Sequence, residues 1–274
     1  MSIEANTQNR FDRDQTVVAS WPVSRGPLDL AIERASRHLL SLQHRRGFWV
    51  GELEADASVT AGYIPLMYFM TGEIDPLRKK KAVEFVLSRQ LEDGLWPSYA
   101  GGPGNLDVSV QNYFALKLAG VSPDEPFMVR ARESILKKGG LAKINTITKI
   151  WLALFGQYDW QDTPAIPVEL MLLPDRSFFN IYDFASWSRE TIVALMVILE
   201  KRYTCKVPDY ARIAELMPEG RTARFRPELD RFLGWEGFFM NLDHLLKFTR
   251  KLPIKPGKAQ AMKKAEQWIV NHQE

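Results

Sequence analysis

The sequence predicts an all-α protein, an α/α toroid (an α6–α6 barrel-like ring) of paired helices, and three observations carry that prediction. A phrase of helix, glycine stop and tryptophan recurs at a fixed interval. Apolar residues recur at 3- and 4-residue steps through most of the chain, and the segments between them are short and rich in Gly and Pro. A long repeat period with helical apolar spacing marks stacked helical hairpins.

The repeat is read directly. Residues 35–49 are ASRHLLSLQHRRGFW and residues 82–96 are AVEFVLSRQLEDGLW. At an offset of 47 residues, Trp49 to Trp96, they share Ala35/Ala82, Leu40/Leu87, Ser41/Ser88, Gln43/Gln90, Gly47/Gly94 and Trp49/Trp96. Weaker copies begin at Ala131 (ARESILKKGG) and Ala265 (AEQWIVNHQE). Leu39 and Leu40, like Val86 and Leu87, are expected on the buried face of a helix. Gln43 and Gln90 fall in its last turn, where an amide that both donates and accepts can bridge the open carbonyls of one helix end and the free N–H groups of a neighbour. Gly47 and Gly94 permit a positive φ, and Trp49 and Trp96 then fold back over the joint.

In order along the chain, residues 1–27 read as a leader or arm, closed by Trp21–Pro22 and Gly26–Pro27. Residues 28–274 read as one α/α-barrel domain. Helices are expected at 28–43, 56–70, 76–90, 107–119, 125–138 and 143–156, then, after a proline-rich bend from Thr163 to Pro174, at 184–202, 210–217, 231–250 and 258–273. Asp56 and Asp107 stand where N-caps belong. No segment alternates convincingly as a strand. That makes about ten helices where a toroid of six hairpins needs about twelve. The last copy stops at Gln273–Glu274, where Gly and Trp should follow, so the barrel is expected one hairpin short of closure. The run Arg78–Lys81 is expected as a solvated helix face.

Composition excludes several classes. At 274 residues and 46% hydrophobic, the chain can bury one large core or two small ones. The net charge of +3 is spread along the sequence, which gives no case for nucleic acid. The one cysteine, Cys205, allows no disulfide framework or thiolate cluster, and His38, His44, His244 and His272 form no ligand pair at i, i+4. Neither a metal nor a cofactor is expected. The N-terminus MSIEANTQNRFDRDQ has no apolar signal region, and the longest wholly apolar run, 192–199, is far below the ~20 residues of a membrane span. An intracellular protein is expected, with a membrane surface still open to it.

Two stretches are candidates for function. In NIYDFASWSRETIVALMVIL (180–199), Phe184, Trp187, Thr191 and Leu195 give an aromatic-headed stripe on a nearly all-apolar helix. In WEGFFMNLDHLLKFTRKL (235–252), Trp235, Phe238, Phe239, Leu242, Leu245 and Leu246 form one broad apolar face, with Lys247, Arg250 and Lys251 at its end. That is the pattern of an interfacial helix in a lipid headgroup layer, and equally that of an ordinary core helix. Trp187, by pattern alone, reads more readily as a core residue than as a cavity ring.

The Gln–Gly–Trp repeats, PSYAGGPGNLD (97–107), TKIWLALFGQYDW (148–160) and NIYDFASWSRETIVAL (180–195) together resemble squalene–hopene cyclases over residues 28–273. Protein prenyltransferase β-subunits share the helical toroid but not these phrases, and they need a zinc site whose ligands are missing here. The resemblance implies membrane-bound cyclases of two α-helical barrels that fold squalene in a cavity between them. An aspartic acid protonates the terminal alkene, and ring faces stabilise the migrating cations without quenching them. This chain resembles the N-terminal, smaller, inserted barrel with the leader that reaches the other. Carried over by position, Trp187 lines the cyclisation cavity, Phe184 and Ile192 line the substrate entrance, and the 235–252 helix belongs to a membrane-facing plateau on the cytoplasmic side. The implied partners are squalene, a membrane surface, and a complementary cyclase half or a second copy.

The departures are specific. The family's acid, Asp-x-Asp-Asp, has no counterpart; Asp12 and Asp14 give only DRDQ. Protonating an alkene needs a strongly polarised, positioned acid, so no catalytic residue is assigned. The resemblance also implies acidic residues where this chain has Gly62 and Gln111, and an Arg where it has Asn145. Losing all three together avoids an unpaired buried charge. Two functions are therefore expected as alternatives: one half of a triterpene cyclase that needs the acid-bearing half, or a non-catalytic, membrane-associated isoprenoid-binding or structural remnant.

Overall fold

In a computed structural model that describes residues 26–51, 54–174, 176–177, 180–218, 241, 243, 247 and 257–272, helix follows helix along the chain. The α-helices are α1 (Pro27–Leu42), α2 (Ala57–Thr71), α3 (Pro76–Ser88), α4 (Leu106–Leu118), α5 (Pro126–Lys137), α6 (Thr146–Ala153), α7 (Ser186–Lys201) and α8 (Lys258–Asn271). Contacts divide the chain into two units, Met1–Leu53 and Glu54–Glu274.

Side-chain caps start the helices where the sequence supplies oxygen acceptors. Asp56 accepts from the Ser58 N–H at 2.8 Å, Asp75 from that of Arg78 at 2.8 Å, and Asn145 from that of Thr148 at 2.9 Å. The cap of α4 is Asn105, not Asp107, with Asn105 Oδ1 accepting from Val108 N–H at 3.1 Å. Asp107 sits inside the first turn, where the helix dipole favours a carboxylate, and accepts the backbone N–H of Asn145 at 2.7 Å.

The second unit is organised around α4. Ten of its thirteen residues are buried, the polar Ser109, Asn112 and Lys117 among them. Helices α2 and α5 pack against it, and so does a two-residue antiparallel pair, β1 (Trp96–Pro97) with β2 (Gly104–Asn105), a small departure from the strandless expectation. Val86, Leu95, Trp96, Tyr113, Phe114, Met128 and Ile135 form the centre of this core. A second cluster joins α7 and α8 to a 3-10 segment, Val168–Leu172, through Val168, Met171, Val193, Met196, Ala261 and Ala265. Ion pairs Lys201–Glu266 (2.7 Å) and Lys258–Glu200 flank the α7–α8 contact.

The repeat is built by hydrogen bonds in register. Trp96 Nε1 donates to the Val86 carbonyl at 2.7 Å, and Trp49 Nε1 to the Leu39 carbonyl at 2.6 Å. Gln90 Nε2 donates to the Gly94 carbonyl at 2.8 Å, and Gln43 Nε2 to that of Gly47 at 2.9 Å. Gln90 donates again, to the Phe127 carbonyl in the first turn of α5 at 3.0 Å, so the amide joins two carbonyls rather than a carbonyl and an N–H. Gly94 has φ +85°, and a Cβ there would stand 2.7 Å from the Arg130 carbonyl carbon, so glycine is required on both counts.

Four expectations are corrected. Leu39 and Leu40 are not buried: they are 55% and 62% exposed, and among the described residues of their unit α1 is the one helix. Residues 210–217 are not an α-helix but two 3-10 turns, Asp209–Ala211 and Ala214–Leu216. Pro208 and Pro218 bracket a segment too short to repay nucleation, and Ala211, Ile213 and Leu216 are buried at spacings no single helix face provides. The helix expected at 143–156 is shortened to α6, because Asn145 caps it and Gly140–Ala142 form a separate 3-10 turn. Phe184 stands before α7 in extended backbone, φ −83° and ψ 148°. Of the 231–250 helix, residues 241, 243 and 247 are helical, and Trp235, Phe238, Phe239, Leu242, Leu245 and Leu246 all lie outside the described residues.

Candidate functional site

The approach to α7 is held by a small polar knot. Asn180, 4% exposed, accepts the Tyr182 N–H at 2.7 Å, while its own N–H donates to Asp183 Oδ2 at 2.8 Å. This reciprocal cap fixes Ile181–Asp183 as one 3-10 turn, and the chain then passes through Phe184 and Ala185 into α7. Trp187 is the second residue of α7 and is 74% exposed. Near it, the Arg189 guanidinium lies 5.0 Å from the centroid of the Tyr182 ring, itself 51% exposed. The start of α7 thus presents rings and a cation at the surface.

Phe184, Trp187 and Ile192 are not gathered at one point. Ile192 is half-buried and packs on the α7–α8 cluster. It stands five residues from Trp187, a rotation of roughly 140° around the helix. Trp187 therefore belongs to the outward face and Ile192 to the flank of the packed one, with Phe184 ahead of the helix.

A second polar group lies where α4 meets α6. Gln111 Nε2 donates to Thr148 Oγ1 at 3.0 Å, Thr148 N–H is held by the Asn145 side chain, and Asn145 N–H by Asp107. Two of the three positions that depart from the resemblance, Gln111 and Asn145, thus meet through Thr148 in a hydrogen-bonded set that ends on the Asp107 carboxylate. Gly62 lies on α2, and a Cβ there would meet nothing within 4 Å. Beside this set, burial lowers the Lys149 ammonium below the ordinary lysine range, opposed by the charges of Asp162 and Asp107, and its Nζ lies 5.8 Å from the Tyr158 ring centroid.

Sequence reasoning missed a buried ion pair. Lys117, 5% exposed, donates to Glu215 Oε1 at 2.5 Å and to the Arg212 carbonyl, and Tyr113 Oη donates to the same Glu215 oxygen at 3.1 Å. The signal was a single lysine inside the apolar run YFALKL. Among the described residues no group of three or more His, Cys, Asp or Glu could hold a metal ion, and no helix is long and apolar enough to cross a membrane.

Two phenols respond to burial. Desolvation, then the charge of Asp162, pushes Tyr158 up to about 12, and desolvation with Glu215 pushes Tyr113 higher still. A phenol raised above its unfolded value of about 10 holds its proton more tightly in the folded state, so its contribution is complete below pH ~10 and is lost as pH rises toward 12. Stability should therefore fall progressively above pH ~10, and Tyr158→Phe should flatten that fall. A denaturant midpoint constant from pH 9 to 12 would contradict this.

Comparison with known proteins places these features. The family described as the squalene-hopene cyclase N-terminal domain matches residues 32–274. The chain is 36% identical over 242 residues to the squalene–hopene cyclase of Alicyclobacillus acidocaldarius subsp. acidocaldarius, covering 88% of this chain and 38% of that enzyme. It is 34% identical over 267 residues to the dammaradiene synthase of Dryopteris crassirhizoma, covering 96% of this chain and 38% of that protein. With the squalene–hopene cyclase of Zymomonas mobilis subsp. mobilis it shares 39% identity over 216 residues, 78% of this chain and 32% of that enzyme. The chain thus spans well under half the length of the relatives it matches.

Proposed function

Since the chain belongs to the squalene–hopene cyclase family, we propose that it forms the N-terminal barrel of a triterpene cyclase acting on squalene and that turnover requires the remainder of the enzyme. The observation that carries this reading is the family match over residues 32–274, set against coverage of only 38% of the Alicyclobacillus enzyme. The acid-bearing Asp-x-Asp-Asp motif is missing from the sequence, so the proton must come from elsewhere. In this reading Trp187 lines the cyclisation cavity, where its ring face meets cationic intermediates, and its 74% exposure leaves it available to that role. Phe184 and Ile192 line the route by which substrate enters.

The assay is incubation of the purified chain with squalene in detergent micelles, with and without the rest of a cyclase, followed by gas chromatography. No cyclic product is expected from the chain alone, and product is expected when the remainder is added. Product from the chain alone would overturn the reading.

A second reading, a non-catalytic isoprenoid-binding or structural subunit, is favoured by the neutral side chains of the Gln111–Thr148–Asn145 set, where the neighbouring carboxylate, Asp107, is engaged by the Asn145 N–H. In both readings the chain is a monotopic membrane protein docked from the cytoplasmic side through the 235–246 face. It should sediment with membranes from a detergent-free lysate and move to the supernatant with mild detergent. Recovery in the high-speed supernatant without detergent would count against membrane docking.

A further inference from the structure

We propose that the contact between α2 and α4 is a binding site for internal water, held by the side-chain amide of Asn112 and by the Ala61 carbonyl, which Pro65 leaves without its helical donor. The site belongs to the packed core of the second unit and stands whether or not the chain is part of a cyclase.

Two buried polar groups carry it, one on each helix. Asn112 is 0% exposed, and among the described residues neither its Oδ1 nor its Nδ2 finds a hydrogen-bond partner. The other polar side chains buried on α4, Ser109 and Lys117, are both bonded. An amide left unmatched in a dry core costs free energy, and buried amides in native proteins are matched by protein or by water. On α2, Pro65 stands inside the helix. Proline has no N–H to give the carbonyl four residues back, and its ring pushes that carbonyl, here that of Ala61, off the helical ladder. Ala61 is itself 0% exposed, out of reach of bulk solvent.

Helix geometry brings the two groups together. Around α4, Gln111 and Phe114 turn to α6, Ser109 turns to Trp96 of β1, and Tyr113 and Lys117 turn to Glu215. At 100° per residue these contacts leave one side of the helix, that of Val108, Asn112 and Ala115. The helix that packs most extensively on α4 is α2, whose buried residues are Ala57, Ala61, Ile64 and Pro65. The helices also run in step. Gln111 meets Thr148 and, three residues on in both helices, Phe114 meets Trp151, so α4 and α6 are parallel. Phe69 of α2 and Phe114 of α4 both pack on Phe155, just past the end of α6, with ring centroids at 6.0 and 5.4 Å. Carried across these rings, Asn112 lies within about a turn of Tyr63, midway between Ala61 and Pro65.

The chemistry of the pair specifies the occupant. It offers an amide donor, an amide acceptor and a carbonyl acceptor, all neutral. Water both accepts and donates, and two to four such partners are what hold an internal water in place. An ion would satisfy one sign of that set, and an apolar side chain neither. Ala61 brings only a methyl group, and the proline ring holds its carbonyl away from the helix axis, which gives a molecule of this size its room.

Oxygen-17 relaxation dispersion of the solvent, measured on the full chain, counts waters that stay bound longer than the protein tumbles. Asn112→Leu, close in volume and apolar, should lose the contribution of at least one such water. The double variant Pro65→Ala/Asn112→Leu should lose it too, and it leaves no polar group at the site unmatched, which secures a folded chain for the measurement. A dispersion as large in both variants as in the parent overturns the proposal. Urea midpoints of the parent, both single variants and the double variant then test the Ala61 carbonyl. Pro65→Ala restores its N–H donor, so it should raise the midpoint more beside Leu at 112 than beside Asn. Equal shifts on the two backgrounds would overturn Ala61 as the partner. Coupled midpoints without any loss of bound water would place the amide directly on the carbonyl and overturn water as the occupant.

Discussion

Replacing Trp96 by Ala is expected to lower the unfolding free energy by about 3–5 kcal/mol, the range for deleting a fully buried indole. The residue is 0% exposed, its Nε1 donates to the Val86 carbonyl at 2.7 Å, and its backbone N–H donates to Ser109 Oγ at 2.9 Å. Truncation would open a cavity where α3, the β1–β2 pair and α4 meet, and would leave the Val86 carbonyl with only the longer bond from the Arg89 N–H, at 3.2 Å. Trp96→Phe, which keeps most of the ring, should cost less, with about 1 kcal/mol of its loss owed to the indole hydrogen bond. The matched substitution Trp49→Ala should cost clearly less than Trp96→Ala, since that ring is 50% exposed. Urea unfolding followed by circular dichroism measures all three. A Trp96→Ala loss below about 1 kcal/mol would show that the joint is not the packing centre of the second unit.

Much of this architecture was legible in the sequence because the repeat writes the same physics twice. Gln, Gly and Trp at fixed offset announced a helix end, a positive φ and an indole folded back, and each proved to be a specific atom contact. Less legible was anything that depends on which neighbour is present. Leu39 and Val86 occupy the same repeat position, yet one is 55% exposed and the other 0%. No local pattern encodes that difference, which lies in what covers each helix. The cap of α4 was misread for a related reason. Asn105 and Asp107 both qualify as caps, and the pairing of β2 with β1 carries Asn105 into extended backbone, the conformation a cap needs.

The candidate site divides the same way. An aromatic-headed stripe was read from Phe184, but the helical register begins at Ser186, so Phe184 stands outside it and Trp187 and Ile192 face apart. The helix begins two residues later than the stripe assumed. Helix starts are hard to place where the preceding residues, here Asn180–Asp183, form a 3-10 turn of their own. The 202–218 segment was harder still, because its partners lie far off in the chain: Lys117, 95 residues before Arg212, donates to the Arg212 carbonyl, and Gln157 accepts the Ile213 N–H.

That lysine carries the second large effect. Replacing Glu215 by Leu is expected to destabilise the chain by about 3 kcal/mol, the lower end for breaking a buried pair because the Glu215 side chain is 31% exposed. The loss arises less from the attraction removed than from what remains: an ammonium on a residue only 5% exposed, and a Tyr113 hydroxyl without its Glu215 acceptor. It follows that removing both charges should cost less than removing one. The double variant Lys117→Met/Glu215→Leu should recover a large part of the loss, since an apolar pair needs no compensation and Met fills the lysine's volume. Lys117→Met alone should fall between, because Glu215 has access to water. The Arg212 carbonyl would still lack its donor in the double variant, so recovery should stop short of the parent value. A double-mutant cycle from urea melts isolates the coupling. If the two single substitutions simply add, the pair is not coupled and the 202–218 segment is held by its other contacts, the buried Ala211, Ile213 and Leu216 and the Ile213 N–H bond to Gln157 among them.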